Sequence, residues 1–141
     1  MTNKKRRATF CPCGSEKPYT ICCAPFHKKK AFPSTPVELM RSRYSAYALG
    51  LTDYIIATTD PDGEAYEEDR ATWRTQIETF TKSHEFDGVE ILDSSKDGDR
   101  GEVRFLAKLK ADNEDRSFEE HSIFTRCKGR WLYYGATSIE E

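Results

Sequence analysis

Apolar side chains between residues 35 and 58 recur every three or four positions, which is the spacing of an amphipathic helix. Thr35 precedes Pro36, and Glu38 lies three positions beyond Thr35, a capping-box pattern that predicts the first turn of this helix. Gly50 weakens its middle, but the periodicity continues and predicts one long helix over the whole range. The predicted apolar face consists of Val37, Met40, Tyr44, Tyr47, Ala48, Leu51 and Ile55.

The rest of the chain is predicted to form one more helix and four strands. The segment TTDPDGE contains a proline and a glycine that end the first helix, and an apolar stripe then predicts a helix from Arg70 to Ser83. Beyond it, apolar and polar positions alternate in segments separated by KDGD, DNED and KGR, which is typical of hairpin-connected strands. The predicted strands are Glu85–Ser94, Gly101–Ala111, Ser117–Cys127 and Trp131–Ile139. This order predicts an α+β fold in which a curved antiparallel sheet wraps the long helix.

A chain of 141 residues is long enough for one ordinary domain with a small appendage. Charged residues make up 33% of it and the mean hydropathy is -0.77, which predicts a strongly hydrated surface. No apolar run approaches the roughly 20 residues of a membrane-spanning helix, and no apolar segment follows the basic residues near the N-terminus. We therefore expect a cytoplasmic, soluble protein without a membrane partner.

The formal net charge of -2 conceals an uneven distribution. Residues 1–30 contain eight lysines and arginines against one glutamate, whereas residues 31–141 contain 14 basic and 23 acidic side chains. Basic runs such as KKRR and KKK bind phosphate groups without reading sequence, although solvated tails explain them equally well. The sequence thus predicts a basic appendage on an acidic body, with RNA or an acidic protein among its conceivable partners.

Four of the five cysteines crowd into thirteen positions, at Cys11, Cys13, Cys22 and Cys23. Two close pairs separated by a tight turn can supply the four tetrahedral ligands that a zinc ion requires. A disulfide is disfavoured because a cytosolic chain is kept reduced and adjacent cysteines form a strained bridge, and a redox site would show C-x-x-C spacing. The pattern predicts one structural zinc ion, since four thiolates leave no open coordination position for catalysis.

The cysteine stretch CPCGSEKPYTICC resembles the SEC-C motif, a small zinc module that is found at the C-terminal end of the bacterial protein-export ATPase. In that ATPase the module contacts a chaperone partner, so the resemblance implies a docking element rather than a catalyst. It also suggests a division of the chain into a basic tail at residues 1–9, a zinc module at residues 10–30 and a second domain at residues 31–141.

A second resemblance extends over most of the chain. The SEC-C stretch, followed by LMRSRYSAY, EEHSIF and GRWLYYGAT, resembles the YchJ-like family of bacterial proteins. The resemblance implies that residues 31–141 adopt the cone-shaped fold of nuclear transport factor 2 (NTF2). Dimerisation through the outer face of the sheet is common in this fold class, so by analogy a homodimer is a further expectation.

Arg43 flanks the apolar helix face, so its guanidinium is expected to need a buried or half-buried partner. Glu120 is the predicted partner, because it shares one strand face with Ser122 and Phe124. One interpretation is an ion pair that only stabilises the fold. The other is an open pocket for a small anionic or aromatic ligand. Its predicted lining consists of Arg43, Tyr47, Trp73, Glu120 and Tyr133.

Three isolated residues could suggest chemistry, and each also has a plain structural interpretation. His27 follows the cysteines, but four thiolates already satisfy the metal, so we expect a solvated side chain. His121 should project to the face opposite Glu120, and Cys127 is expected to be a buried thiol. The sequence contains no Ser-His-Asp arrangement, phosphate loop or dinucleotide fingerprint, which disfavours an enzyme.

Two hypotheses for the function follow from these features. The first is a zinc-binding accessory protein whose basic module docks a protein or ribonucleoprotein partner. The alternative is a small-molecule-binding protein or an enzyme that uses the pocket of the cone-shaped domain. The two differ in which part of the chain carries the function, the cysteine module or the predicted pocket.

Overall fold

The structure is a computed structural model that describes residues 10–137. The predicted basic tail and the last two residues of the predicted fourth strand lie outside the described residues. The helices of the described part are α1 (Ala24–His27), α2 (Pro36–Leu49), α3 (Thr52–Ala57) and α4 (Arg70–Ser83). Its strands are β1 (Glu85–Asp97), β2 (Arg100–Ala111), β3 (Glu114–Asp115), β4 (Phe118–Cys127) and β5 (Arg130–Thr137).

The strands form one antiparallel sheet in the order β1-β2-β4-β5, with the short β3 paired to β2. This confirms the predicted meander. Alternate residues of β2, from Val103 to Leu109, are buried on the inner face, as their alternation predicts. Irregularities in the register of β1 and of the β4–β5 pair bend the sheet around the helices.

The predicted long helix is two helices, because the chain turns at Gly50. This glycine has a φ of +74°, a left-handed conformation that commonly ends helices, and the Leu51 amide donates to the Ala46 carbonyl at 2.8 Å. The prediction of one helix up to residue 58 was therefore wrong. The apolar periodicity continues across the break because Ile55 in α3 still packs into the interior.

Helix α2 is buried on two sides, whereas the sequence predicted one apolar face. Met40 and Tyr44 face the sheet, and they belong to a cluster that also contains three of the cysteines. Leu39, Ser42 and Ser45 have no exposed surface. They lie within a helix whose other side is covered by the cysteine-rich segment and by α3.

Helix α4 spans the predicted residues and closes one side of the cone. Asp69 caps its first turn by accepting a hydrogen bond from the Thr72 amide at 3.1 Å. Trp73 and Ile77 are buried in a second cluster together with Ile55. Among the described residues, no helix is both long and apolar enough to cross a membrane.

Candidate metal centre and cavity

The sulfur atoms of Cys11, Cys13, Cys22 and Cys23 lie within 4.8 Å of one another. The Cys13 and Cys22 sulfurs are 3.6 Å apart, and those of Cys22 and Cys23 are 4.0 Å apart. A tetrahedral zinc ion with bonds of about 2.3 Å would place its sulfur ligands about 3.8 Å from one another. The four predicted ligands therefore have the separations that a single tetrahedral metal ion needs.

Local backbone turns bring the two cysteine pairs together. The Cys11 amide donates to the Lys17 carbonyl at 2.8 Å, and the Gly14 amide donates to the Cys11 carbonyl at 3.2 Å. Gly14 has a φ of +86°, so the predicted turn after the first pair uses a conformation that favours glycine. The second pair follows a single helical turn at Tyr19–Ile21 and leads directly into α1.

The electrostatics of the cluster favour a bound cation. Hydrogen bonds from the neighbouring thiols of Cys11 and Cys23 lower the pKa of Cys13, whereas sharing a proton with Cys13 raises the pKa of Cys11 to about 11. The pKa of Cys23 is raised by its hydrogen bonds to both. Four adjacent thiolates repel one another, so all four ionise together only when a metal ion neutralises them.

The donor set itself fits a metal ion. Cys11, Cys13 and Cys23 are at most 3% exposed, and Cys22 is half-buried. Thiolates are soft ligands that select zinc, copper(I) or iron–sulfur groups over magnesium and calcium. The Ser15 hydroxyl lies 3.1 Å from the Cys22 sulfur, where it can donate a hydrogen bond to the thiolate. Such outer hydrogen bonds orient metal ligands.

The cysteine cluster is bonded directly to the cone. The Cys13 carbonyl accepts from the Arg41 guanidinium at 3.1 Å and from the Val89 amide at 3.2 Å. Gly14 approaches β1 so closely that a β-carbon there would lie 3.2 Å from the Gly88 α-carbon. Helix α2 and strand β1 thus hold the cysteine-rich segment in a defined position.

His27 is not solvated as predicted. Its Nε2 donates to the Ser42 carbonyl at 2.8 Å, which requires a proton on Nε2, and its Nδ1 accepts from the Tyr19 hydroxyl at 2.7 Å. Burial lowers the pKa of His27, although the bond to Ser42 opposes this shift. His27 is therefore a neutral link between α1 and α2, and the four-sulfur cluster does not include it.

The inner face of the sheet and the helices enclose a cavity of about 330 Å³. All five predicted pocket residues line it: Arg43, Tyr47, Trp73, Glu120 and Tyr133. Most of the remaining wall is apolar, and it consists of Met40, Tyr44, Ile77, Phe80, Phe86, Phe105, Ala107, Leu109, Phe118 and Phe124, with Gln76 and Ser122 as polar members. Phe118 is 41% exposed, so this residue lies at the mouth.

Arg43 does not form the predicted ion pair. Its Nη1 donates to the Ile55 carbonyl at 2.9 Å, to the Thr58 hydroxyl at 2.8 Å and to the Thr59 hydroxyl at 3.1 Å. Between residues 10 and 137, no carboxylate lies within 4.0 Å of its nitrogens. The physical reason is the turn at Gly50, which returns the C-terminal end of α3 to the guanidinium.

Glu120 instead accepts hydrogen bonds from side chains of β4 and β5. Its Oε2 accepts from the Ser122 hydroxyl at 2.6 Å and from the Tyr133 hydroxyl at 2.8 Å. Glu120 and Ser122 therefore share the inner face, as the strand alternation predicts. The Tyr133 ring lies 4.5 Å from the Arg43 guanidinium, which stacks over it. Burial, and next the Glu120 carboxylate, raise the pKa of Tyr133 well above its usual range.

The two other isolated residues lie away from the cavity. The His121 Nε2 contacts Glu102 at 2.7 Å on the outer face, opposite Glu120 as predicted. The prediction of a buried Cys127 was wrong, since this side chain is exposed. It is the last residue of β4, next to the turn at Lys128 and Gly129, where the strand has no covering element.

Several further residues line the cavity that strand alternation could have identified from the sequence. Phe118 precedes Glu120 by two positions, and Phe105 and Ala107 alternate on the adjacent strand. Residues two apart on a strand share a face, so all of these follow from placing Glu120 inside. No comparable sequence signal marks Thr58 and Thr59, because their contact with Arg43 depends on the direction of the turn after α2.

Comparison with known proteins agrees with this architecture. The model of the YchJ middle NTF2-like domain matches residues 35–136. The chain belongs to the YchJ (UPF0225) family. This confirms the family resemblance and the α+β NTF2-like fold that were predicted.

Individual relatives extend the similarity to nearly the full chain. A UPF0225 protein of Sodalis glossinidius is 39% identical over 92% of this chain and 83% of its own length. Another from Deinococcus radiodurans is 38% identical over 89% of this chain and 87% of its own length. The solution structure of a SEC-C motif containing protein from Rhodopseudomonas palustris superimposes with a TM-score of 0.81 at 34% identity, covering 93% of this chain and 99% of that one.

Proposed function

We propose that this YchJ-family chain binds a small, largely apolar molecule in the cavity of the cone and uses a zinc ion to stabilise the structure around it. The observation that carries the proposal is the cavity itself. Its volume of about 330 Å³ falls within the range of ligand sites, roughly 300–1,000 Å³. Its aromatic wall with a few convergent polar groups is the usual composition of such sites.

A cavity-filling variant tests this function. Ala107 is buried and lines the cavity, so Ala107→Phe would place a ring inside it. Leu106, the neighbouring half-buried residue on the opposite face of β2, provides the matched control Leu106→Phe. We expect saturable binding of the neutral probe indole, measured by ligand-observed NMR, to disappear in Ala107→Phe and to persist in Leu106→Phe. Equal binding by both folded variants, or none by the natural chain, would contradict the proposal.

Zinc is the proposed ion because four thiolates at tetrahedral separations are the donor set of structural zinc sites. The proposed residues are Cys11, Cys13, Cys22 and Cys23, and they leave no position open for a reacting water. When bound, the ion would supply folding free energy to the segment that carries the four cysteines. A reducing, cytoplasmic compartment would suit this role, since it keeps thiols available for the metal.

Docking of a ribonucleoprotein partner is a second candidate function. It is favoured by one observation: Lys28, Lys29 and Lys30 are all exposed shortly after the second cysteine pair, and Ile21, which precedes Cys22, is 69% exposed. Three adjacent lysines attract phosphates, and an exposed apolar side chain can add contact area.

The salt dependence of RNA binding tests the docking function. Replacing Lys28, Lys29 and Lys30 by glutamine should reduce the slope of log K against log salt by about 2, since each phosphate contact on a single strand contributes about 0.7. The control replaces three exposed lysines of the sheet, which are Lys96, Lys108 and Lys110. Fluorescence anisotropy with a single-stranded homopolymer gives both slopes. An equal loss in the two triple variants would argue against a docking surface on the cysteine module.

A further inference from the structure

The polar end of the cavity contains a cation and an anion that do not contact each other. Arg43 is only 7% exposed, and its hydrogen bonds to Ile55, Thr58 and Thr59 all come from Nη1. Within the described part of the chain, Nε and Nη2 have no acceptor. Among these residues, Trp131 Nε1 is the sole side-chain polar atom that is fully buried and has no hydrogen-bond partner. Because Nε and Nη2 of Arg43 also have no partner, they are not fully buried and retain accessible surface. Arg43 lines the cavity, so a ligand bound there could reach these nitrogens.

The surroundings of Arg43 leave its charge without a counter-ion in contact. Its three acceptors are a carbonyl and two hydroxyls, and the Tyr133 ring covers one face of the guanidinium at 4.5 Å. A buried charge is costly unless an opposite charge compensates it. The free edge of a guanidinium has the geometry to donate two parallel hydrogen bonds to a carboxylate. An anionic group at this end of the cavity would therefore be stabilised.

Glu120 offers the complementary group at the same end. Its Oε2 accepts two hydrogen bonds, from Ser122 and Tyr133, whereas Oε1 accepts none from the described residues. The carboxylate is half-buried and lines the cavity. An ionised carboxylate only accepts hydrogen bonds, so Oε1 can take a ligand N–H or O–H. The Glu120 carboxylate would repel a ligand that has a negative charge and no hydrogen-bond donor beside it.

We propose that the cavity recognises a small acid that carries a hydrogen-bond donor beside its carboxylate, namely an α-amino or α-hydroxy acid with an aromatic side chain. The carboxylate contacts the free edge of Arg43, and the ammonium or hydroxyl group donates to Oε1 of Glu120. The aromatic side chain lies among Phe80, Phe86 and Phe105, which line the apolar part of the cavity. This inference rests on the proposed function, since it names the class of ligand for the same cavity.

Four compounds that share a phenyl ring and differ in their polar groups test the inference. Phenylalanine and 3-phenyllactate carry both a carboxylate and a donor, 3-phenylpropionate lacks the donor, and phenethylamine lacks the carboxylate. We expect the first two to bind at least tenfold more tightly than the last two at pH 7, as measured by calorimetry. Equal affinity of all four compounds would overturn the inference.

Variants of the two charged residues assign the roles. Glu120→Gln keeps an acceptor for Ser122 and Tyr133, and it should reduce the preference for phenylalanine over 3-phenylpropionate at least tenfold. The control Glu119→Gln removes a carboxylate from the outer face of β4, where it pairs with Arg104, and should leave the preference unchanged. Arg43→Lys keeps the charge but loses the planar edge of the guanidinium. It should therefore weaken the binding of phenylalanine and of 3-phenylpropionate at least tenfold, while indole still binds.

Indole separates this inference from the proposed function. One outcome is that indole binds the natural chain but not Ala107→Phe, while the four compounds bind with equal affinity. In that case the cavity binds small molecules and the assigned class of ligand is wrong. If indole and all four compounds fail to bind, the proposed function itself is wrong and the inference fails with it. If circular dichroism shows that Arg43→Lys does not fold, the two glutamate variants decide the outcome. The inference then requires the preference for phenylalanine over 3-phenylpropionate to fall tenfold in Glu120→Gln and to stay unchanged in Glu119→Gln.

Discussion

At the scale of single residues, four consecutive side chains of α2, from Arg41 to Tyr44, contact four different parts of the molecule. Arg41 reaches the cysteine cluster, Ser42 bonds to Tyr54 in α3, Arg43 contacts the end of α3 and the cavity, and Tyr44 reaches the sheet. Successive side chains on a helix point about 100° apart, so four consecutive residues cover every direction around the axis. The helix can make these contacts because the sheet covers one of its sides and the cysteine-rich segment and α3 cover another.

Tyr44 supplies the first prediction. Its hydroxyl accepts from the buried Gly88 amide at 2.8 Å and donates to the Lys108 carbonyl at 3.0 Å, so it bridges β1 and β2 at the irregularity in their register. Tyr44→Phe removes the acceptor of the buried Gly88 amide and a donor to the Lys108 carbonyl, so it should lower the free energy of unfolding by about 1–3 kcal/mol. Tyr66→Phe, which loses only an exposed bond to Arg70, should stay within about 0.5 kcal/mol. Urea denaturation measures both, and equal losses would contradict the bridging role.

His27 supplies a prediction on pH. Burial lowers its pKa below the ordinary value of about 6.5, so the unfolded chain binds a proton more readily than the folded chain. This contribution to stability is complete above pH 6.5 and is lost as the pH falls toward the lowered pKa. Protonation would also place a proton on Nδ1, which accepts from Tyr19 in the neutral form.

Lowering the pH from 7 to 5 should therefore decrease the free energy of unfolding less in His27→Gln than in the natural chain. The measurement requires zinc in excess, because acid also releases metal from thiolates. His84, a half-buried histidine next to the end of α4, gives the control His84→Gln. An identical pH profile for His27→Gln and the natural chain would show that burial of this histidine contributes nothing to the acid sensitivity.

At the scale of elements, the break between α2 and α3 determines the polar end of the cavity. Gly50 turns the chain in a left-handed conformation, so that the six-residue α3 presents the Ile55 carbonyl to Arg43 and the residues just after α3 present the Thr59 hydroxyl. A continuous helix would carry these acceptors away along the axis of α2, since each residue advances by 1.5 Å. The break is thus the structural reason why Arg43 is satisfied without Glu120.

Gly50→Ala tests the importance of this turn. A β-carbon at this position meets only the Thr81 side chain at 3.8 Å, so the cost comes from the backbone conformation and not from a clash. An L-residue pays about 1–2 kcal/mol in the left-handed region, which the reduced freedom of the unfolded chain partly offsets, so we expect a net loss of about 1 kcal/mol. Gly50→Asn should lose less, since asparagine tolerates this conformation. If the two variants are equally stable in thermal denaturation, the φ value does not govern the turn.

At the scale of the whole molecule, the cysteine segment shares its core with the cone. Cys11, Cys13 and Cys23 belong to one cluster with residues of α2 and the sheet, such as Leu39 and Trp131. The division of the chain after residue 30 stays a prediction. Since the segment packs into the larger core, we expect that loss of the metal would destabilise the whole molecule.

Metal removal is the corresponding prediction. Zinc at a thousandfold excess over its dissociation constant stabilises a folded protein by about 4 kcal/mol through mass action, so chelation should lower the Tm by roughly 10 °C. Calorimetry should show one transition in both states, and Cys11→Ser should mimic chelation. The exposed Cys127 provides the control Cys127→Ser, which should leave the Tm unchanged. Two separate transitions, or a Tm insensitive to chelation, would contradict a structural metal in the shared core.

The sequence alone determined those features that depend on neighbours close along the chain. The helix at residues 70–83, the four long strands and the inner face of β2 follow from side-chain period, and the grouping of four cysteines follows from their spacing. The placing of Glu120 and Ser122 on one face has the same origin. Each of these properties is local, because a period or a turn is encoded within a few consecutive residues.

Only the tertiary structure decided how distant elements meet. Arg43 finds its acceptors in and just after α3 and not in Glu120, the half-buried His27 bonds to α2, and Cys127 lies exposed at the end of a strand. The cavity also belongs to this level, since its wall combines two helices with the sheet. Which polar atom satisfies a buried group depends on the direction of turns such as Gly50, and a small change in that direction moves every residue beyond it.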